Sequence, residues 1–341
     1  MTLFENKWPA VLLWPLSLLY WGVTSVRNLL YQTGILPTVK IDCPVISVGN
    51  LTVGGTGKTP TVITIARWLT QKNFNVTIIS RGYGRASKDG VIVSDGKGKI
   101  VPVKEGGDEP VLIAKKLTGV PVLVDQNRVR AAQTALQKFS PDVIILDDGF
   151  QHRRLHRDLD IVTINKEKLF GNNFLLPAGP LRESTSHLKR AGMIWMNSNT
   201  GFESMTRLPK SLKSKPFIRA MYTPVKLIDL NGTESDIDLR SVPVVAFSGL
   251  GNPDSFKQTL ENLGARVEVF LKFKDHHFYS AKDIASIEKA FKSVTAKYII
   301  TTEKDGVKLP LKLSLAKYWK YLCIDIKPVN VHDMQKILNY I

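Results

Sequence analysis

The stretch "CPVISVGNLTVGGTGKTPTVITIARWL", Cys43–Leu69, decides the fold. Val45–Val48 is a short unbroken apolar run, the signature of a buried strand. Thr61–Leu69 repeats its apolar residues at helical spacing. Between them lies "VGGTGKTPT", Val53–Thr61. Strand, glycine-rich loop, helix is the context in which a P-loop forms. Glycines let backbone N–H groups turn inward around phosphate oxygens, and the helix N-terminus adds partial positive charge. Thr52, Val53, Gly54, Gly55, Thr56, Gly57, Lys58 and Thr59 are therefore the expected nucleotide-binding residues. Lys58 reaches the β- and γ-phosphates, and Thr59 offers its hydroxyl to Mg²⁺. The strict pattern wants glycine five residues before Gly57, where this chain has Thr52.

A second piece belongs with the first. "PDVIILDDGFQHRRL" follows the helix-like "NRVRAAQTALQKF". Its apolar run Val143–Leu146 reads as a central parallel strand ending in Asp147 and Asp148. A nucleotide fold places its Mg²⁺ partner at such a strand end, although paired aspartates also form plain turns. In "TIISRGYGR" a strand over Asn75–Ser80 leads to Arg81, Tyr83 and Arg85, expected to line the cleft. In "EGGDEP", Asp108 and Glu109 precede a helix-like run from about Val111, a position that suits both capping and chemistry.

The 341 residues suffice for two compact domains and a short appendage. The formal charge of +17 favours anionic partners: nucleic acid, acidic lipid headgroups or phosphorylated substrates. Cys43 and Cys323 fit no metal-ligand spacing and read as reduced thiols of a cytoplasmic protein. From Trp8 to Val26 no residue is charged, a length near that of a spanning helix. Pro9, Pro15, Ser17, Thr24 and Ser25 weaken that reading, while several tryptophans and tyrosines suit the headgroup level. A signal peptide is disfavoured because only Lys7 is basic ahead of the run and no convincing cleavage site follows. A membrane-embedded or interfacial helix leads over a buried core helix.

Further along, Asn231-Gly232 marks a turn between extended stretches. "GLGNP" lacks the Lys-Ser/Thr of a P-loop and reads as a βα turn capped by Asn252 or Asp254.

Taken in order, "SVGNLTVGGTGKTP", "ISRGYGR", "GDEP", "DDGFQHRRL", "LLPAGPLRE", "DHHFYS" and "TTEKDGVKL" resemble the tetraacyldisaccharide 4′-kinase (lipid A 4′-kinase) family across nearly the whole chain. The resemblance implies transfer of the ATP γ-phosphate to the 4′-hydroxyl of a tetraacylated, 1-phosphorylated glucosamine disaccharide. The product is lipid IVA, a lipid A intermediate. The implied fold is α/β: a P-loop α/β/α N-terminal lobe with a parallel sheet over 35–215, a β-ribbon linker over 216–240 and a smaller α/β/α lobe over 241–341. An N-terminal helix, 1–34, would anchor it at the cytoplasmic face of the bacterial inner membrane. The implied partners are the acylated disaccharide lipid and that membrane surface, with ATP and Mg²⁺ and no obligate protein partner. A nucleic-acid-binding protein, suggested by the charge, lacks a recognisable binding module.

By the same resemblance Asp108 is the base that accepts the sugar hydroxyl proton, and His276 its dyad partner. Taken alone, His276 reads as a surface-turn histidine. Lys58, Asp147 and Asp148 complete the catalytic set; Thr59, Glu109, Asp147, Asp148 and Glu183 are the metal-shell candidates. Tyr83, Gln151, His152 and Arg182 are expected on the substrate side, and Lys304 with Asp305 loosely resembles a base-reading pair. His276 lies far down the chain, which implies that the second lobe completes the site and that lobe closure gates catalysis.

Overall fold

The computed structural model describes residues 7–203, 212, 215–310 and 313–341, with side chains from residue 12 onward. Its core is one twisted, mostly parallel sheet. In chain order the strands are β1 (Val45–Gly49), β2 (Val76–Ser80), β3 (Val91–Ser94), β4 (Val122–Val124), β5 (Val143–Asp147), β6 (Leu159–Asn165) and β7 (Met193–Ser198). There follow β8 (Phe217–Asp229), β9 (Glu234–Ser235), β10 (Pro243–Ser248), β11 (Arg266–Lys272), β12 (Tyr298–Thr302) and β13 (Trp319–Pro328). Across the sheet the order is β11-β10-β12-β13-β8-β7-β6-β1-β5-β2-β4-β3, with β9 on β8.

β1 lies between β5 and β6, parallel to both. Every residue of β1, β2 and β5 is buried, as unbroken apolar runs require when helices cover both faces. Helix α2 (Lys58–Gln71) covers one face, packing Val62, Ile65 and Leu69 with Ile46, Ile78 and Trp195. The parallel order puts the C-terminal ends of β1 and β5 at one edge, where ligands bind in open α/β sheets.

The two halves of the chain share this sheet. β8 pairs in parallel with β7 through Phe217–Met221, and antiparallel with β13 from Ala220↔Pro328 to Asp229↔Lys320. The Asn231-Gly232 turn closes only a short hairpin, Ile228↔Glu234. The long ribbon is instead β8 with β13, a partner too distant in sequence for a turn signal to reveal. Asn252 does stand at the N-cap of a helix over Pro253–Asn262, but its side chain makes no capping hydrogen bond.

Helix α1 (Lys7–Gln32) continues through Pro15. Leu12, Leu16, Leu19, Val23 and Val26 are exposed, and their 4-3-4-3 spacing makes one apolar stripe. Other side chains of the helix dock on the body. Ser17 Oγ donates to the Leu175 carbonyl (2.9 Å), Tyr20 Oη to the Arg182 carbonyl (3.0 Å) and Asn28 Nδ2 to Glu183 Oε2 (2.9 Å). No helix among the described residues is long and apolar enough to cross a membrane. The polar residues that make those contacts also break the apolar run. Cys43 and Cys323 are both free and buried.

Candidate active site

The glycine-rich loop joins β1 to α2 in the predicted order. Gly57 caps α2 at φ 81°, and a Cβ there would lie 2.5 Å from Tyr222 Oη and 2.6 Å from Asn197 Nδ2. The loop is braced from several sides. Asn197 Nδ2 donates to the Thr56 carbonyl (2.8 Å), and Trp195 Nε1 orients Asn197 by donating to its Oδ1 (2.8 Å). Asn50 Nδ2 donates to Thr56 Oγ1 (3.0 Å), and Val53 N–H to the Pro180 carbonyl (2.7 Å). Thr52 is buried and forms an isolated antiparallel bridge with Leu181. An extended, paired residue does not require glycine; the left-handed torsions fall at Gly54 (φ 102°) and Gly57. Gly55, inside the loop, does not share that positive φ.

Gly57→Ala is expected to cost about 1–2 kcal/mol for the left-handed torsion alone, with Asn197 displaced in addition. Expressed as lost loop order, that is about five- to thirtyfold in affinity for a non-hydrolysable ATP analogue. Titration calorimetry giving an unchanged Kd would contradict the loop's assignment.

Lys58 Nζ, at the first residue of α2, lies 3.6 Å from Asp148, and Thr59 beside it is buried. Asp148 is held at φ 52° and accepts both contacts of Arg182 Nη1, at 3.1 and 3.0 Å. Burial works to raise its carboxyl, but Lys58 and Arg182 outweigh it and keep Asp148 below the usual range. Asp147 is the opposite case. Its Oδ2 accepts from Ser80 Oγ at 2.9 Å, and its buried Oδ1 has no partner. Burial first, then the charges of Glu109 and Asp148, raise its carboxyl.

A divalent cation fits this spot. Mg²⁺ is bound by one or two carboxylates plus substrate phosphates, and it would relieve the same crowding of negative charge. Among the described residues no group of three or more His, Cys, Asp or Glu is arranged to hold a metal alone. The residues that fit are Thr59, Asp147 through its open oxygen, and Asp148.

Asp108 opens helix α4 (Asp108–Lys116) and is buried. Its Oδ1 accepts from the Glu109 N–H (2.9 Å), and its Oδ2 lies 2.8 Å from His276 Nδ1. Burial would raise this carboxyl; the His276 hydrogen bond and the Lys304 charge hold it below its ordinary value. The Asp108 contact in turn raises the His276 ring. His276 has φ 58° and lies 5.0 Å, centroid to centroid, from the exposed Tyr83 ring.

Lys304 lies in the one-turn helix α8 (Glu303–Gly306) after β12. Its Nζ is 3.0 Å from Glu109 Oε1 and 3.4 Å from His276 Nε2. This places it at the Asp108–His276 pair rather than in a base-reading role. Asp305 cannot read a base either. Its fully buried carboxylate accepts from the Gly249 N–H (3.0 Å) and Thr302 Oγ1 (2.8 Å).

Other expected site residues are placed as follows. Glu109 is committed to Lys304. Glu183 is buried, its Oε2 shared by Asn28, His187 (3.0 Å) and Arg190 (2.9 Å). Those partners hold its carboxyl down at about 2 despite burial. Glu183 therefore ties α1 to the body. Gln151 Nε2 donates to the Asn50 carbonyl at 2.8 Å, bracing the loop from behind. Burial and then neighbouring arginines, Arg128 foremost, lower the His152 ring to about 4, so it is neutral near pH 7. Arg85 donates to the Lys88 carbonyl at 3.0 Å within its own exposed turn.

Sequence reasoning missed Arg128. It opens the helix over Arg128–Phe139, is buried, and lies in the field of Asp147, Arg81 and Asp148. Its only signal was an arginine directly after a capping asparagine, Asn127.

Known proteins match this chain closely. The family described as tetraacyldisaccharide-1-P 4′-kinase (LpxK) matches residues 9–341. A tetraacyldisaccharide 4′-kinase of Syntrophus aciditrophicus is 42% identical over 334 residues, covering 93% of this chain and 89% of the relative. One from Anaeromyxobacter sp. strain K is 40% identical over 302 residues, covering 86% and 80%. Among solved structures, LpxK from Aquifex aeolicus in complex with ATP superposes with a TM-score of 0.80 at 38% identity, covering 97% of this chain and 98% of that one. A glycine-rich loop facing paired aspartates, and matches of this length, lead to one conclusion: the chain belongs to the tetraacyldisaccharide-1-P 4′-kinase family.

Proposed function

We propose that Asp108, oriented by His276, is the general base of this family's reaction, and that Lys58 with the 52–59 loop holds the ATP phosphates. The reaction follows from membership: a kinase phosphorylates a lipid A precursor, a tetraacylated disaccharide 1-phosphate, at its 4′-hydroxyl. The observation that carries the residue assignment is the 2.8 Å contact between Asp108 and His276, 168 positions apart and from opposite halves of the chain. A buried carboxylate kept ionised has an unshared lone pair with which to accept a hydroxyl proton.

The acceptor O–H bond breaks as its proton passes to Asp108. The sugar oxygen bonds to the γ-phosphorus, and the bond to the bridging oxygen breaks, releasing ADP. Lys58 neutralises charge on the transferring group, and the N–H groups of the loop fix its position. Thr59, Asp147 and Asp148 would hold Mg²⁺, which supplies charge neutralisation at the phosphates when bound. Arg182 keeps Asp148 in place by its double contact. We take 35–215 and 241–341 as the two lobes, with Asp108 from one and His276 and Lys304 from the other.

The acceptor is a lipid, and the exposed stripe on α1 is where the enzyme meets the cytoplasmic face of the inner membrane. Its apolar residues lie in one leaflet, and the net charge of +17 favours anionic headgroups. Leu12→Asp with Leu19→Asp is expected to lower the fraction that floats with anionic vesicles at least about tenfold, since each buried leucine contributes roughly 1.5–3 kcal/mol. Undiminished flotation would remove α1 from the membrane contact.

A further inference from the structure

Lys304 is a strongly held cation at the Asp108–His276 pair, and its surroundings fix it on both sides. Its neighbour Glu303 reaches Lys116 at the far end of α4 (2.7 Å) and accepts from the Ile324 N–H (3.1 Å). Its other neighbour, Asp305, is locked by Gly249, by Thr302 and by the fully buried Lys308 (2.9 Å). Lys304 itself touches Glu109, Asp275 (3.4 Å) and His276. The helix α4 that carries Asp108 is thus gripped at its first turn by Lys304 and at its last by Glu303.

An ammonium has three donors and no acceptor, so a hydrogen bond at the 3.4 Å contact with His276 Nε2 requires the ring nitrogen to accept. That leaves the ring proton on Nδ1, facing Asp108 Oδ2. Among the described residues four groups face this ring: Asp108, Asp275, Lys304 and Tyr83. The two carboxylates favour a charged imidazolium. Lys304 opposes it, by charge and by occupying the nitrogen that a second proton would need.

We propose that Lys304 is a positioning residue for the phosphoryl transfer: it keeps His276 as the neutral Nδ1–H tautomer, so that Asp108 meets the acceptor hydroxyl hydrogen-bonded but not neutralised by a full ion pair. The inference rests on Asp108 being the base. A doubly protonated His276 would pair with Asp108 as a cation and drain its affinity for the hydroxyl proton.

The test uses full-length enzyme with ATP and detergent-dispersed acceptor, and compares Lys304→Met, Lys304→Arg and Asp108→Asn. Lys304→Met is expected to lower kcat about 10- to 100-fold with KM for ATP changed less than about threefold. Lys304→Arg, which keeps charge and donors, is expected to recover most of the rate. Nitrogen NMR of isotope-labelled histidine is expected to show His276 protonated on Nδ1 alone in the wild type and in Lys304→Arg. In Lys304→Met both nitrogens should carry protons at the same pH; an ordered His276 signal also shows that the variant is folded. Unchanged ring protonation in Lys304→Met, or a loss expressed only in KM for ATP, would overturn the proposal. Full activity in Asp108→Asn would instead overturn the base assignment beneath it, whatever the ring protonation shows.

Discussion

Asp108→Asn is expected to lower kcat by roughly 10²–10⁴, the usual contribution of a positioned general base. The substitution keeps size and shape, and its single amide oxygen can keep one of the two contacts, made at 2.9 Å by the Glu109 N–H to Oδ1 and at 2.8 Å by His276 Nδ1 to Oδ2. What it loses is the negative charge and the ability to take a proton. The loss should therefore fall on kcat, with KM for ATP nearly unchanged, because no phosphate contact is assigned to Asp108. Steady-state kinetics at saturating ATP and lipid decides this. A rise in KM for the lipid with kcat preserved would make Asp108 a binding residue.

Lys58→Ala is expected to reduce turnover by about 10²–10³, or about 3 kcal/mol of transition-state stabilisation, as for loss of one preorganised charge donor. Lys58 faces Asp148 at 3.6 Å, which directs its ammonium at the proposed metal and phosphate region. Alanine there leaves Asp148 paired with Arg182 alone. Negative charge developing on the transferring group would then have one fewer compensating cation. A variant with near-normal kcat and kcat/KM would take the loop's lysine out of the mechanism.

Local sequence carried some of this further than other parts. The β1–loop–α2 unit and the strand leading to Asp147 were readable because each is a contiguous pattern with one physical meaning. Thr52 looked like a defect in the loop until its pairing with Leu181 appeared; that partner lies 129 residues away, beyond any local signal. The β8–β13 ribbon was hidden for the same reason. His276 read locally as a turn residue, and only the family resemblance paired it with Asp108. Lys304 and Asp305 looked like a nucleotide-reading dipeptide, whereas a single helical turn sends one to the acid–base pair and buries the other. Glu183 stood with Glu109, Asp147 and Asp148 among the metal-shell candidates. It and its neighbour Arg182 part company in the fold: Glu183 meets α1 while Arg182 meets Asp148.

The central claim is that this phosphate loop and this base serve one lipid hydroxyl. It is tested most directly by mixing the protein with γ-phosphate-labelled ATP, Mg²⁺ and detergent-dispersed tetraacyldisaccharide 1-phosphate, alongside the acceptor's 4′-deoxy analogue. Label is predicted in the lipid fraction with the first acceptor and absent from it with the second. Label found only in inorganic phosphate, or equally on the 4′-deoxy lipid, would contradict the account.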